Sequence, residues 1–489
     1  LRNHIIICGL GNVGFRTFEL LKQAGKEIVV VSNSTHDELR WQVEKTGTLF
    51  IVGDARSERL LLQAGILDAK VILAITDEDV VNSAIIMSAR HFNPTIKIIA
   101  RMFDRELSNH ISKAFNVQQI FSISEIVAPI FTNSIVDRSI VAQFSLENEI
   151  YGISEKSDSV SQDNKETLLT IATHNLVVTP LKEEEKNNYV YRYFLRKFNY
   201  ILSPAFAHFR FFLLMIFCFI ISTSYFLKST MLLSYIDAIY FVTTTITTVG
   251  YGDINFLNSS TGLKIFGCLL MLCGAGIITL LFGSIVEIML SRKLPSVLGG
   301  LPVPKKDHVI VVGSGHIGHR IVTKLLEQKS TVVIVENDMK NRYSTDINRQ
   351  VALVEGHFHS DETFKRAHVE TAKAILAITE DDIENLSISL TAKKLNAKII
   401  NITRLFSGKL AYQLQSFLSL DGVLSVENLS APYFAAAVFG QEILVALKWQ
   451  KRLIFLSRGV DVPPNVEHAP LTLGKKIFKD IQVCSINLQ

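Results

Sequence analysis

The chain is short of cysteine, of net charge and of clustered arginine, and each shortage removes a class of function. Five cysteines among 489 residues, Cys8, Cys218, Cys268, Cys273 and Cys484, have neither paired nor metal-ligand spacing, so no disulfide framework and no thiolate metal site is expected. Three of them lie inside apolar runs and read as packing residues. A formal net charge of +4, with no concentrated basic face, argues against nucleic acid as a partner. No arginine recurs at every third position, which excludes a voltage sensor. No signal peptide is expected ahead of the first strand, since Arg2 and His4 lead straight into it. The chain begins at Leu1 and stops in mid-pattern at Gln489, which raises the expectation of a piece of something longer.

What is abundant is apolar surface, at 48% of residues, and it is concentrated. Phe211 to Leu227 gives seventeen residues without a charge, and Ile265 to Val286 gives twenty-two. The first is at the short edge of what spans a bilayer core of roughly 30 Å, and the second is long enough. A buried core helix is the alternative for either run taken alone. Arg192, Arg196, Lys197 and Arg210 precede the first, and Arg292, Lys293, Lys305 and Lys306 follow the second. By the positive-inside bias both flanks face the cytoplasm. The expected protein is therefore multi-pass in the cell membrane, with the lipid bilayer as a partner and both termini cytoplasmic.

The segments on either side of this unit are copies of each other. His4 to Gly14 matches His308 to Gly318 at an offset of 304, and from Gly53 onward the offset is 303 over about 130 residues in all. It pairs Ala74 to Asp77 with Ala377 to Glu380, Arg101 with Arg404, and Ala128 and Pro129 with Ala431 and Pro432. Strands are expected at Ile5 to Cys8, Ile28 to Val31, Leu49 to Val52 and Val71 to Ile75, spaced by amphipathic helices, which predicts an α/β Rossmann-like fold with a parallel sheet in each copy. Pro129 and Pro432 suit the first turn of a further helix. The expected order is a regulatory domain at 1–145, a small lobe and linker at 146–204, an all-α pore unit at 205–292, a linker at 293–307, a second Rossmann-like domain at 308–445 and the start of a C-terminal lobe at 446–489. Glu155 to Glu166 and Lys182 to Asn188 read as linkers around a pair of short strands, Leu168 to Ala172 and Leu176 to Thr179.

Between the apolar runs stand Thr243, Thr244, Thr245, Ile246, Thr247, Thr248, Val249, Gly250, Tyr251, Gly252 and Asp253. A string of consecutive carbonyls can face one axis only if neighbouring residues alternate between right- and left-handed backbone, and glycine at 250 and 252 enters the latter without steric cost. Tyr235 to Ile246 has the length of a half-membrane helix with its carbonyl end toward a cation path. A threonine-rich strand before a glycine turn is the plain alternative. The stretch from Thr247 to Asp253 matches the filter signature of potassium channels, and the chain resembles that family. The resemblance implies a homotetramer in which backbone carbonyls of four loops replace the hydration shell of K+. Gly274 and Gly276 in the second apolar run each cost about 1 kcal/mol relative to alanine in a helix. Close helix packing and a gating bend both explain them, with Gly274 the hinge by resemblance.

Gly9, Gly11 and Gly14, and again Gly313, Gly315 and Gly318, form GxGxxG between strand and helix, where a loop and helix start can cradle phosphate. Glu336 ends the next strand of the second copy and suits ribose hydroxyls, whereas the first copy has Ser32 there. The copies resemble the domains that regulate potassium conductance in prokaryotic channels and uptake systems, through Gly53-Asp54-Ala55, Ala64-Gly65-Ile66 and Ala100-Arg101. The implied nucleotide residues are Gly9, Gly11, Gly14 and Asp54 in the first copy and Gly313, Gly315, Gly318, Glu336 and Thr379 in the second, for an adenine nucleotide such as NAD(H), ADP or ATP. His357, His359 and Asp361 offer a divalent-cation site, with surface histidines as the alternative. The implied function is a potassium channel gated by a small-molecule or ion ligand of its regulatory domains, catalysing nothing. The alternatives are a nucleotide-sensing membrane subunit of an uptake system and a membrane-tethered dehydrogenase.

Overall fold

The structure, a computed structural model, describes residues 1–33, 37–147, 149–155, 167–168, 176–181, 207–297, 301–337, 351–406, 420–459, 466–473 and 476–489. It divides into two compact units, one made of Leu1–Glu184 with Val303–Gln489 and the other of Glu185–Pro302. Apart from Glu155, the linkers expected at Glu155 to Glu166 and Lys182 to Asn188 lie outside the described residues.

The first copy alternates β1 Ile5–Cys8, α1 Asn12–Gln23, β2 Ile28–Ser32, α2 Asp37–Lys45, β3 Leu49–Val52, α3 Glu58–Gln63, β4 Val71–Ala74, α4 Asp79–Phe92, β5 Lys97–Arg101, α5 Arg105–Phe115, β6 Gln119–Phe121 and α6 Ile123–Asn133. The sheet is parallel in the order β3-β2-β1-β4-β5-β6. β1, β2 and β4 are wholly buried, which is why they read as unbroken apolar runs rather than alternating ones. The order reverses between β1 and β4, and ligands of such sheets bind outside the carboxyl ends of the strands at that point. Asp104 starts α5 by accepting from the backbone N–H groups of Glu106 and Leu107, and Asn116 ends it in the left-handed region.

An antiparallel lobe follows, with β7 Ile140–Leu146, β8 Glu149–Glu155, β9 Thr167–Leu168 and β10 Leu176–Pro180 in the order β7-β8-β10-β9. The second unit holds α7 Ala207–Met231, α8 Tyr235–Ile246 and α9 Thr261–Val297. The second copy repeats the first: β11 Val309–Val312, α10 His316–Glu327, β12 Val332–Glu336, β13 Ala352–Glu355, α11 Asp361–Arg366, β14 Ala374–Ala377, α12 Asp382–Leu395, β15 Ile400–Arg404, β16 Gly422–Leu424 and α13 Val426–Phe439, with sheet order β13-β12-β11-β14-β15-β16. Its own lobe has β17 Glu442–Trp449, β18 Arg452–Arg458, β19 Glu467–Leu473 and β20 Lys476–Asn487, in the order β17-β18-β20-β19. The two lobes share one strand order, so the duplication runs further than the sequence repeat suggests. Both lobes also start upstream of the boundaries expected at 146 and 446.

One expectation fails. Pro129 and Pro432 lie inside α6 and α13 instead of opening them. Proline removes one helical N–H, a cost that burial of the rest of the helix offsets. Those two helices join the copies: α6 packs on α10, and α13 packs reciprocally on α1. Phe121 meets Tyr433 and Phe434 edge to face at 5.7 and 5.1 Å, inside one hydrophobic cluster that runs through both copies. At the rim, Arg320 pairs with Glu125 at 2.8 Å, and the Lys97 ammonium donates to the Gly440 carbonyl at 2.6 Å.

Candidate ion pathway and nucleotide sites

The helix α8 is set by its first turn. The Ser234 hydroxyl accepts from the Asp237 N–H at 3.1 Å and donates to the Asp237 carboxylate at 2.6 Å, so an acidic group sits at the positive end of the helix. Leu227, Phe241, Val242, Ile246 and Leu270 form the local core. At its far end the backbone folds back on itself, with the N–H groups of Val249 and Gly250 both donating to the Thr244 carbonyl at 3.0 and 3.1 Å. Beyond it φ is positive at every second residue, 62° at Thr248, 49° at Gly250 and 80° at Gly252. The alternation argued from glycine thus includes Thr248, a residue type that seldom enters this region and that stores strain there. Sequence reasoning missed it because threonine carries no such signal. Val249 and Tyr251 are exposed in the single chain, and the Asn255 amide donates to the Gly252 carbonyl at 3.1 Å.

α9 runs unbroken from Thr261 to Val297. Its Thr261–Gly283 stretch is long and apolar enough to cross a membrane, while α7 carries a shorter apolar stretch, Ile216–Met231. A β-carbon on Gly274 would lie 2.8 Å from Cα of Ile246, whereas one on Gly276 would meet nothing within 4 Å. Of the two predicted glycines, only Gly274 is tightly packed. Gly267, which the sequence did not single out, lies under the Phe256 ring, where a β-carbon would approach to 2.5 Å.

In the soluble unit the three glycines of each motif divide their work alike. Gly9 and Gly313 take φ of 101° and 96° against Thr76 and Thr379. Around Gly11 and Gly315 the space is open, as a phosphate needs. A β-carbon on Gly14 or Gly318 would strike the Gly9 or Gly313 carbonyl at 2.2 or 2.1 Å, so helix and loop pack only through glycine. Glu336 is buried, and its carboxylate accepts from the N–H and hydroxyl of Ser314 at 2.7 and 2.6 Å and from the Asn337 N–H at 3.0 Å. Ser32 holds the equivalent Leu10 N–H at 3.2 Å.

Two buried asparagines that the sequence reading passed over fix the rest of each crevice. Asn82 accepts from the Thr76 N–H at 3.0 Å and donates to the carbonyls of Thr76 and Arg101 at 3.0 and 2.9 Å. Asn385 does the same for Thr379 and Arg404. Their recurrence at the repeat offset was the available signal. Arg404 donates to the Thr379 carbonyl at 3.3 Å and pairs with buried Glu427 at 3.4 Å. Burial pushes Arg101 down to about 10, still a cation at neutral pH.

Asp54 follows β3, next to Gly53, whose N–H donates to the Ser32 carbonyl at 3.0 Å. Its carboxylate is gripped by the Arg56 guanidinium at 2.6 Å, which holds it below the usual carboxylate range. The expected metal site does not form. Asp361 pairs with Lys394 at 2.7 Å and His359 meets the Ser387 hydroxyl at 3.0 Å, so these side chains are drawn to separate partners, and no metal-binding cluster occurs among the described residues.

Residues 5–123 and 309–425 match the TrkA-N domain, and residues 211–291 match the ion-channel domain. Probable potassium channel protein 2 of Methanocaldococcus jannaschii is 30% identical over 175 residues, 34% of this chain and 50% of that protein. The voltage-gated potassium channel Kch of Escherichia coli is 26% identical over 174 residues, 34% of this chain and 41% of that one. The chain thus spans half or less of the length of these relatives. A solved structure, the GsuK channel bound to NAD, covers 100% of this chain and 77% of its own at a TM-score of 0.52 and 12% identity, a likeness of fold. The left-handed alternation after α8 and the paired glycine-rich crevices fall inside the matched segments, so the chain carries two TrkA-N domains, one before and one after an ion-channel domain.

Proposed function

We propose that the chain is one subunit of a homotetrameric, potassium-selective channel of the cell membrane, gated by an adenine nucleotide on its cytoplasmic TrkA-N domains, and that it catalyses nothing. The observation that carries the reading is the positive φ at Thr248, Gly250 and Gly252 directly after a capped half-length helix. A ladder of carbonyls for a dehydrated cation requires that alternation. One chain supplies one quarter of such a ring, and the exposure of Val249, Tyr251, Leu269, Leu272 and Phe282 supports neighbours and lipid around it. The charged flanks support a multi-pass topology with both TrkA-N domains inside the cell.

Assembly has support in the soluble unit as well. Val80 and Met87 on α4 are exposed, and so are Ile383 and Leu390 at the equivalent places on α12. Apolar residues one heptad apart, left open on both copies, suit contact with further copies of the chain. The nucleotide reading rests on the open space at Gly315 beside the Glu336 carboxylate, with NAD(H) and ADP or ATP as the ligands to try. An uptake-system subunit is not favoured, since an ion-channel domain stands between the copies. Purified protein in liposomes tests the proposal: K+ flux that excludes Na+ and responds to ADP or NAD is expected, and equal passage of both ions defeats it.

A further inference from the structure

The crevice of the second copy is lined by the first copy as well. Phe103, just past β5, lies flat against His316 with ring centroids 4.0 Å apart, and His316 is the residue that opens α10 after Gly315. The Phe103 N–H is fixed by the Asp79 carboxylate at 3.0 Å. The Arg101 guanidinium stands 4.6 Å from the centroid of the same ring. Its Nε is buried with no hydrogen-bond partner. His316 is held below the usual imidazole range by burial first and by Arg101 next, which fits a guanidinium close to the glycine-rich loop.

The reciprocal arrangement differs where charge is concerned. Phe406 lies 5.9 Å from the Arg16 guanidinium on α1, so the end of β15 faces the first copy in turn. There, however, Arg404 is engaged by Glu427 and by the Thr379 carbonyl. The first copy has Ser124 at the position of Glu427, so Arg101 has no such carboxylate from its own copy; Asp77, Asp79 and Glu427 itself act on it electrostatically, but among the described residues none forms an ion pair with it. The carboxylate suited to ribose is distributed the other way, with Glu336 in the second copy and Ser32 in the first. Both asymmetries select the same crevice.

We propose that Arg101 of the first copy supplies its guanidinium to the phosphates of a nucleotide seated on Gly313, Gly315 and Gly318 of the second, so that one nucleotide per chain bridges the copies and the reciprocal crevice stays unused. This rests on reading the second copy as a nucleotide site. A planar guanidinium suits phosphate oxygens, and a ligand that contacts both copies stabilises the arrangement in which they are apposed.

The test is calorimetric titration of the full chain in detergent with ADP, NAD and phosphate-free adenosine. Arg101→Gln is expected to weaken ADP by about tenfold or more, the usual effect of losing a hydrogen bond between charged groups, and to leave adenosine within about twofold. Ser124→Glu, which keeps Arg101 but gives it the carboxylate that Arg404 has, is expected to do the same and decides the matter if Arg101→Gln does not fold. Undiminished ADP affinity in Ser124→Glu, with Glu336→Ala still weakening it, overturns the bridge while sparing the nucleotide site. No heat from the parent with ADP or NAD overturns both.

Discussion

Gly274 lies directly against Ile246, so close that a β-carbon on the glycine would stand 2.8 Å from the isoleucine Cα. This joins the middle of α9 to the last residue of α8, just ahead of Thr248. Gly274→Ala must push the half-length helix away or bend α9, and overpacking of this kind costs about 1–3 kcal/mol. The expected outcome is a less heat-stable tetramer with reduced K+ over Na+ selectivity. Gly276→Ala, in open space, is expected to keep selectivity and to gain up to about 1 kcal/mol of helix stability. Thermal dissociation on gels and reversal potentials check both.

Gly250→Ala places a β-carbon at φ 49° in the run from Thr248 to Gly252. The left-handed region costs an L-residue roughly 1–2 kcal/mol, repeated in every subunit of a ring. Selective flux in liposomes is expected to vanish. Thr248→Gly relieves strain at φ 62° but removes a hydroxyl, so it is expected to raise tetramer stability while lowering selectivity.

Much of this was legible in the residues. β1, β2 and β4 announce themselves as buried apolar runs, and the offset of 303 to 304 exposed the duplication. The first two glycines of each motif fall between strand and helix, and the third, Gly14 or Gly318, lies in the first turn of the helix. What stayed hidden depended on contacts distant in the chain. The Phe103–His316 stack exists because α6 and α13 cross to the other copy, and neither residue carries a local signal of it. Pro129 looked like a helix start because proline propensity is local, while burial of Ile123, Val127, Ile130 and Phe131 decides where α6 begins. The three metal candidates were neighbours in sequence, yet Lys394 claims Asp361.

Asn82 and Asn385 each bind a β4- or β14-end threonine and the carbonyl of the arginine beyond it. Asn385→Ala leaves buried partners unsatisfied, at about 1–3 kcal/mol, and loosens Thr379 beside Gly313. A lower unfolding midpoint and weaker ADP binding are expected together. Asn82→Ala is expected to lower the midpoint equally.

Lys97 titrates low, at about 8, through burial and then repulsion from Lys70. Between pH 8 and the usual lysine value near 10.5 the unfolded chain binds a proton that the folded chain has released, so this residue adds stability as pH rises through that window. Lys97→Met removes the contribution. Denaturation of both proteins at pH 7.5 and pH 10 is expected to show a smaller gain with pH in the variant.

Met87→Glu combined with Leu390→Glu puts charge on the exposed faces of α4 and α12. Light scattering in detergent is expected to show a smaller assembly, with each chain still folded by circular dichroism.

The soluble unit is assembled from the two ends of the described chain, with residues 185–302 inserted between them. The chain leaves the first copy for this insertion and comes back into the second, so the inserted segment is held in the sequence at both of its ends, and neither copy can be cut away without opening the unit they build together.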